Sequence, residues 1–319
     1  MRSKILLKAR PTAEQMADRL GAPTPDGLEL YLDRTDLAGD DWLARLRSIL
    51  APAESRPGFI RIVEGPTRSL DGEFFDLTRD NAANQRLLAR LVEFASIIAA
   101  PAVNIHATAP GFDPDLTKQE FRDRDLESCL PLLRRFTRWC ADAGVRPLLE
   151  NNPPIGRLQG GHFSVSSIGV EPDDLVQLCQ AVPGVSLTLD LSHAQLYVNC
   201  LTQQLEELPA AIQPAIRRYG DRAVVSSIRG YGLAVASFVH AIHLSNATGL
   251  LGEGLPYERG DLDLDSETEF WLERAQYIVT ETLESDNNRA IHMREAQARL
   301  ESLRQNRKAN TLSGVGIQE

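Results

Sequence analysis

The chain has 319 residues, 43% of them apolar and 24% charged, a composition that excludes wholesale disorder and suits either two domains or one large α/β barrel. Its 44 acidic residues outnumber 34 basic ones, giving a formal net charge of −10 and none of the basic excess a non-specific nucleic-acid binder needs. No apolar run approaches a membrane span, and the opening residues lack a signal peptide's pattern. The scattered cysteines (Cys129, Cys140, Cys179, Cys200) have no CxxC spacing and read as reduced core residues, so a cytoplasmic protein is expected.

In chain order, short β-branched or apolar runs predict eight strands, beginning with Lys4–Lys8, Gly27–Leu32, Phe59–Glu64 and Ala102–Ala107. Arg146–Glu150, Val185–Leu191, Ala241–Leu244 and Tyr277–Leu283 complete the set. Helix-period segments separate them. In Asn84–Ala99 the residues Leu87, Leu88, Leu91, Phe94, Ala95 and Ile98 share one stripe, and Asp125–Cys140 and Glu171–Val182 have the same character. Pro172 suits a first helical turn, with Asp173 and Asp174 favouring that end. Strict alternation implies parallel strands with right-handed crossovers, and eight units close into a single (β/α)8 TIM barrel. A doubly wound sheet is the alternative, disfavoured by the count and by the absence of GxGxxG after the first strand. The barrel is assigned to residues 1–309, with a polar, fraying tail at 310–319. Extended loops are expected after strands 5 and 6, Asn151–Glu171 and Tyr219–Ser237, both over the mouth.

In a parallel barrel the C-terminal strand ends converge on one mouth. Here those ends carry Glu64, His106, Glu150, Asp190, His243 and Glu281. Interior strands of a parallel barrel are normally apolar, and so many carboxylates in one mouth repel each other without a cation. Mixed Asp, Glu and His donors suit one divalent ion, Mn²⁺ in first place, with Co²⁺, Mg²⁺ or Zn²⁺ as alternatives. Each residue taken alone is more often a hydrogen-bonded or ion-paired side chain; the joint placement on successive strands carries the inference.

LLEN at Leu148–Asn151, LTLDLSHA at Leu187–Ala194, AIHLSNATG at Ala241–Gly249 and IVTET at Ile278–Thr282 together resemble the xylose-isomerase-like TIM-barrel superfamily. Its members include sugar 3-epimerases, inosose and dehydroshikimate dehydratases and endonuclease IV. The resemblance implies that Glu150, Asp190, His243 and Glu281 hold one divalent metal, with Glu150 and Glu281 moving a proton through an enediolate. It places His193 at a position that meets substrate in some members and a second metal in others. His106, Glu64, Asn151 and Arg157 are further candidates for substrate contact, Asn151 alternatively as a turn cap. The implied substrate is a small polyhydroxylated carbonyl compound, with no nucleic-acid or membrane partner and a homo-oligomer left open. The activity it implies is a metal-dependent sugar isomerase or epimerase, with a dehydratase of a keto-cyclitol or keto-acid as the rival and an endonuclease IV-like phosphodiesterase behind it. Multi-metal members carry D-x-H after the seventh strand, whereas Leu250–Leu264 here contains no histidine, and Glu64 stands about where endonuclease-type members offer one. Arg229 and Arg259 are placed in mouth loops, where an arginine could clamp an anion. Glu253 reads as an exposed loop residue, and Glu284 as a brace for a ligand. His162 has no motif support, while His240 is expected at the barrel bottom and His292 on the outer face of the last helix.

Overall fold

Eight strands of four to six residues close on one another: β1 Lys4–Ala9, β2 Gly27–Tyr31, β3 Ile60–Glu64, β4 Ala102–His106, β5 Arg146–Glu150, β6 Ser186–Asp190, β7 Val239–Leu244 and β8 Tyr277–Thr280. The computed structural model describes residues 3–54, 56–157 and 163–313. Every strand pairs in parallel with its sequence neighbours, and β1 meets β8 to complete the ring. Helices cover the outside, as Ala82–Ile97 does by burying Leu87, Leu88, Leu91 and Phe94. Together they form the (β/α)8 TIM barrel that the alternation predicts. No helix among the described residues is long and apolar enough to cross a membrane.

Side chains alternate in and out along each strand, and the inward set changes character with height. Low in the barrel it is apolar: Leu6, Ile62, Ala102, Leu148, Ala241, Tyr277 and Val279 pack as a plug. Two residues further along β1, β3, β4, β5 and β7, in the same inward phase, come Lys8, Glu64, Asn104, Glu150 and His243, all buried. The charged layer thus rests on a closed apolar floor.

Two sequence expectations differ locally. Asp125–Cys140 is not one helix but two, Gln119–Ser128 and Leu130–Asp142, because Pro131 lacks an N–H and disfavours helical continuity at the residue before it. The segment after β6 that was expected as mouth loop, Tyr219–Ser237, is instead largely helical, within Gln213–Arg222 and Ile228–Val235. Ile216, Tyr219, Tyr231 and Val235 recur there at helical spacing and are buried on the outer layer. The loop after β5 does lie on the rim, where Phe163–Ser166 pairs antiparallel with both Gly156–Arg157 and Pro110–Gly111. It returns through Gly169, whose φ of +78° and closeness to the Ala107 carbonyl leave no room for a side chain. The closing helix runs Ile291–Ser313, into the stretch expected as tail, and residues 314–319 lie outside the described ones. All four cysteines are free and buried.

Candidate functional site

The six strand-end residues expected at the mouth are brought together, and three more that sequence reasoning passed over join them: Lys8, Glu29 and Asn104. The register accounts for the meeting, since His106 sits beside Glu150, Asp190 beside His243, Glu64 beside Asn104 and Lys8 beside Glu29 on adjacent strands. Above them opens a cavity of about 680 Å³, lined at its base by Lys8, Glu64, His106, Glu150, Asp190 and Glu281.

His243 is the hub. It is fully buried, its Nδ1 lies 2.6 Å from Glu281 Oε2, 3.1 Å from Glu150 Oε1 and 4.0 Å from Asp190 Oδ2, and its Nε2 faces Glu29 Oε2 at 2.6 Å. Glu150 is held from the other side by the Asn104 amide, which donates to Oε2 at 2.6 Å. Lys8 Nζ stands 2.8 Å from Glu281 Oε1 and 3.6 Å from Glu29 Oε2, and it also pairs with Glu64. Asp190 divides its carboxylate: the helix Leu191–Thr202 starts directly after β6, and Oδ1 caps it by accepting the His193 N–H at 2.8 Å. Its other oxygen is left facing the site.

Charge follows these contacts. Burial works against ionised Glu150, but His243, His106 and Lys8 outweigh it and hold the carboxyl well below its usual range. Glu281 is likewise pulled down to about 2, Lys8 and His243 overcoming its burial. Asp190, farther from a cation, is pushed up to about 6 by desolvation. Burial alone would lower Lys8, yet the fields of Glu281, Glu64 and Glu29 raise it well above its ordinary value. Desolvation keeps His106 below its ordinary value.

The remaining candidates separate. His193 lines the cavity, with Nδ1 2.8 Å from the Asn151 carbonyl and Nε2 3.6 Å from Glu253 Oε2. Burial would lower it, but Asp190 and Glu253 raise it to about 10. Glu253 reaches the site because the hairpin of Asn246–Thr248 and Gly252–Leu255 folds over the mouth. Asn151, expected at substrate or as a turn cap, spends its amide on the Asp190 backbone, accepting at 2.7 Å and donating at 3.0 Å, and so ties β5 to β6. Arg229 is not in the mouth: it pairs with Glu267 and packs over Phe270 on the outer layer. Arg259 is absent from the described residues lining the cavity. Glu284 accepts the His292 and Met293 N–H groups and so caps the last helix. His240 lines a basal cleft, as expected. The side chain of Arg157, and His162 entirely, lie outside the described residues.

One oxygen or nitrogen from each of Glu150, Asp190, His243 and Glu281 falls within 4.8 Å of the others, a set that could hold a metal ion. The sets Glu29, Glu64, His243, Glu281 and Glu64, His106, Glu150 meet the same limit. Residues 26–303 match the family described as xylose isomerase-like TIM barrel. The chain belongs to that family. Among solved structures, a D-tagatose 3-epimerase-like protein is similar at 14% identity and TM-score 0.63, covering 95% of this chain and 99% of its own. L-ribulose 3-epimerase is similar at 15% identity and TM-score 0.60, over 99% of this chain and 100% of its own. The TTHB071 protein from Thermus thermophilus, soaked with ZnCl2, is similar at 18% identity and TM-score 0.61, over 94% and 97%. No curated protein sequence matches the chain significantly. At these identities the structural likeness establishes the fold.

Proposed function

We propose that this chain is a divalent-metal-dependent epimerase or isomerase of a small sugar or sugar derivative. The observation that carries the reading is the convergence on His243 Nδ1 of three carboxylates from β5, β6 and the end of β8. Glu150, Asp190, His243 and Glu281 would hold the ion. The donor set fits: it combines hard carboxylates with one imidazole, and its charge exceeds what Lys8 and His243 balance. Glu29 behind Nε2 supports the fit, because a carboxylate on the far nitrogen is the usual device for aiming a ligating imidazole. When bound, the ion supplies Lewis acidity to a substrate carbonyl and the neighbouring hydroxyl, which makes the intervening C–H more acidic.

The chain's own residues then handle the proton. Glu150 and Glu281, ionised and fixed by Asn104 and Lys8 respectively, both reach His243 Nδ1. One carboxylate takes the C–H proton, the bonding pair moves toward the carbonyl to give an enediolate, and the other returns a proton to the opposite face. His106 and His193 line the same cavity, where they can meet substrate hydroxyls. Two of the similar structures, L-ribulose 3-epimerase and the D-tagatose 3-epimerase-like protein, agree with this reading.

The test is solvent exchange. Keto-sugars, their phosphates and keto-cyclitols are incubated with the Mn²⁺-loaded protein in D₂O and followed by NMR. Loss of one C–H signal that requires metal and disappears in Glu150→Gln is expected. An enone absorbance without reversible exchange replaces the epimerase with a dehydratase, and no exchange across the panel overturns the proposal.

A further inference from the structure

Lys8 is an unusual residue for the inside of a parallel barrel. Its side chain is 10% exposed, it rises directly from the apolar plug two residues after Leu6, and it is the one lysine among the described residues that line the cavity. Its ammonium meets Glu29, Glu64 and Glu281 together. Those three carboxylates, with His243, also satisfy the spacing of a metal-binding group in their own right. They share His243 and Glu281 with the set assigned above, the arrangement expected of a bridged pair of ions. Yet the ammonium stands among the very donors that a second ion would need.

We propose that Lys8 is a built-in second cation, whose ammonium takes the place of a second divalent ion between Glu29, Glu64 and Glu281 and limits the site to a single metal. Glu29 demands such a partner: it is completely buried, and neither oxygen accepts a well-aligned hydrogen bond, so its charge is balanced only by Lys8 and by His243 Nε2 among the described residues. A buried carboxylate without a counter-charge is strongly unfavourable, and Glu64 and Glu281 compound the repulsion. Lysine suits the role better than a metal would in two respects. It is tethered, so it remains when the exchangeable ion leaves. It also grips Glu281 Oε1 while Oε2 faces His243, which makes it a positioning residue for a carboxylate with work to do.

The inference rests on the metal-dependent reading, and its test separates the two. Purified chain is stripped with chelator, re-equilibrated with excess Mn²⁺, desalted and assayed for bound manganese by elemental analysis, alongside Lys8→Met and Lys8→Arg. Methionine keeps the length and removes the charge; arginine keeps the charge. The expected stoichiometry is one ion per chain for the natural protein, two for Lys8→Met and one for Lys8→Arg. Two ions in the natural protein, or one in a folded Lys8→Met, overturns the inference while the metal-dependent reading stands. No retained manganese in any of the three overturns the metal-dependent reading itself. Should Lys8→Met fail to fold, calorimetric titration of the natural chain with Mn²⁺ still decides: a single-site isotherm is expected, and a second strong site refutes the role of Lys8.

Discussion

Replacing Glu29 by glutamine probes the hub from behind. Glu29 Oε2 lies 2.6 Å from His243 Nε2, and both side chains are fully buried. Glutamine preserves shape and keeps one acceptor oxygen, so the imidazole keeps its place while its ligating nitrogen becomes less basic. Losing a carboxylate in this position typically weakens metal affinity by about 10- to 100-fold, or roughly 1.4–2.7 kcal/mol at about 1.36 kcal/mol per decade. The assay is competition for Mn²⁺ between the protein and a fluorescent chelator of known affinity, at fixed pH. Asp190→Asn, which removes a proposed ligand, serves as the reference and is expected to lose substantially more. Unchanged affinity in Glu29→Gln refutes the orienting role. A loss equal to that of Asp190→Asn shows Glu29 to be a ligand and moves the ion toward β2.

Chelator is expected to lower the thermal midpoint of the natural protein and Mn²⁺ to restore it, since ligand at 100-fold its Kd stabilises the folded state by about 2.7 kcal/mol; an indifferent midpoint counts against any tightly held metal. Gly169→Ala forces a side chain into the Ala107 carbonyl at a φ of +78°, and urea unfolding should show a loss of about 3 kcal/mol or more, whereas a loss under about 1 kcal/mol contradicts the turn geometry. Burial, with Arg146 adding repulsion, depresses His240 from an ordinary 6.5 to about 4, so the unfolded chain takes up a proton that the folded chain refuses. Its stabilising contribution is complete above pH 6.5 and is lost as pH falls toward 4. His240→Asn should flatten that limb by about 1–2 kcal/mol after allowance for solvent screening, and an unaltered acid limb refutes it.

Strand positions were legible because the runs are short, apolar and bounded by helix-period segments, and the strand ends were legible because a carboxylate or imidazole there violates the apolar rule. Glu29 and Asn104 are less visible because each lies one inward position before its strand's end, and Lys8, the last inward position of β1, because a lysine there is neither carboxylate nor imidazole. The signal was present in the period of two: Lys8 follows Leu6, Glu29 precedes Tyr31 and Asn104 lies between Ala102 and His106, each in the inward phase. Asn151 illustrates a different limit. A residue adjacent to a strand-end Glu can face substrate or brace the next strand, and only the closeness of the Asp190 backbone decides. Glu253 depended on a hairpin whose fold over the mouth has no local sequence mark, and the 219–237 segment was misjudged because Gly220, Gly230 and Gly232 obscured its helical stripe.

Every step of the proposed chemistry depends on one divalent ion held among Glu150, Asp190, His243 and Glu281. Anomalous diffraction from crystals of the natural protein equilibrated with Mn²⁺, collected on both sides of the manganese edge, tests for that ion without reference to substrate. A single anomalous peak bonded to those four side chains, with Lys8 still between Glu29, Glu64 and Glu281, is the expected outcome. A peak between Glu29 and Glu64, or no peak at all in the mouth of the barrel, shows the assignment to be wrong.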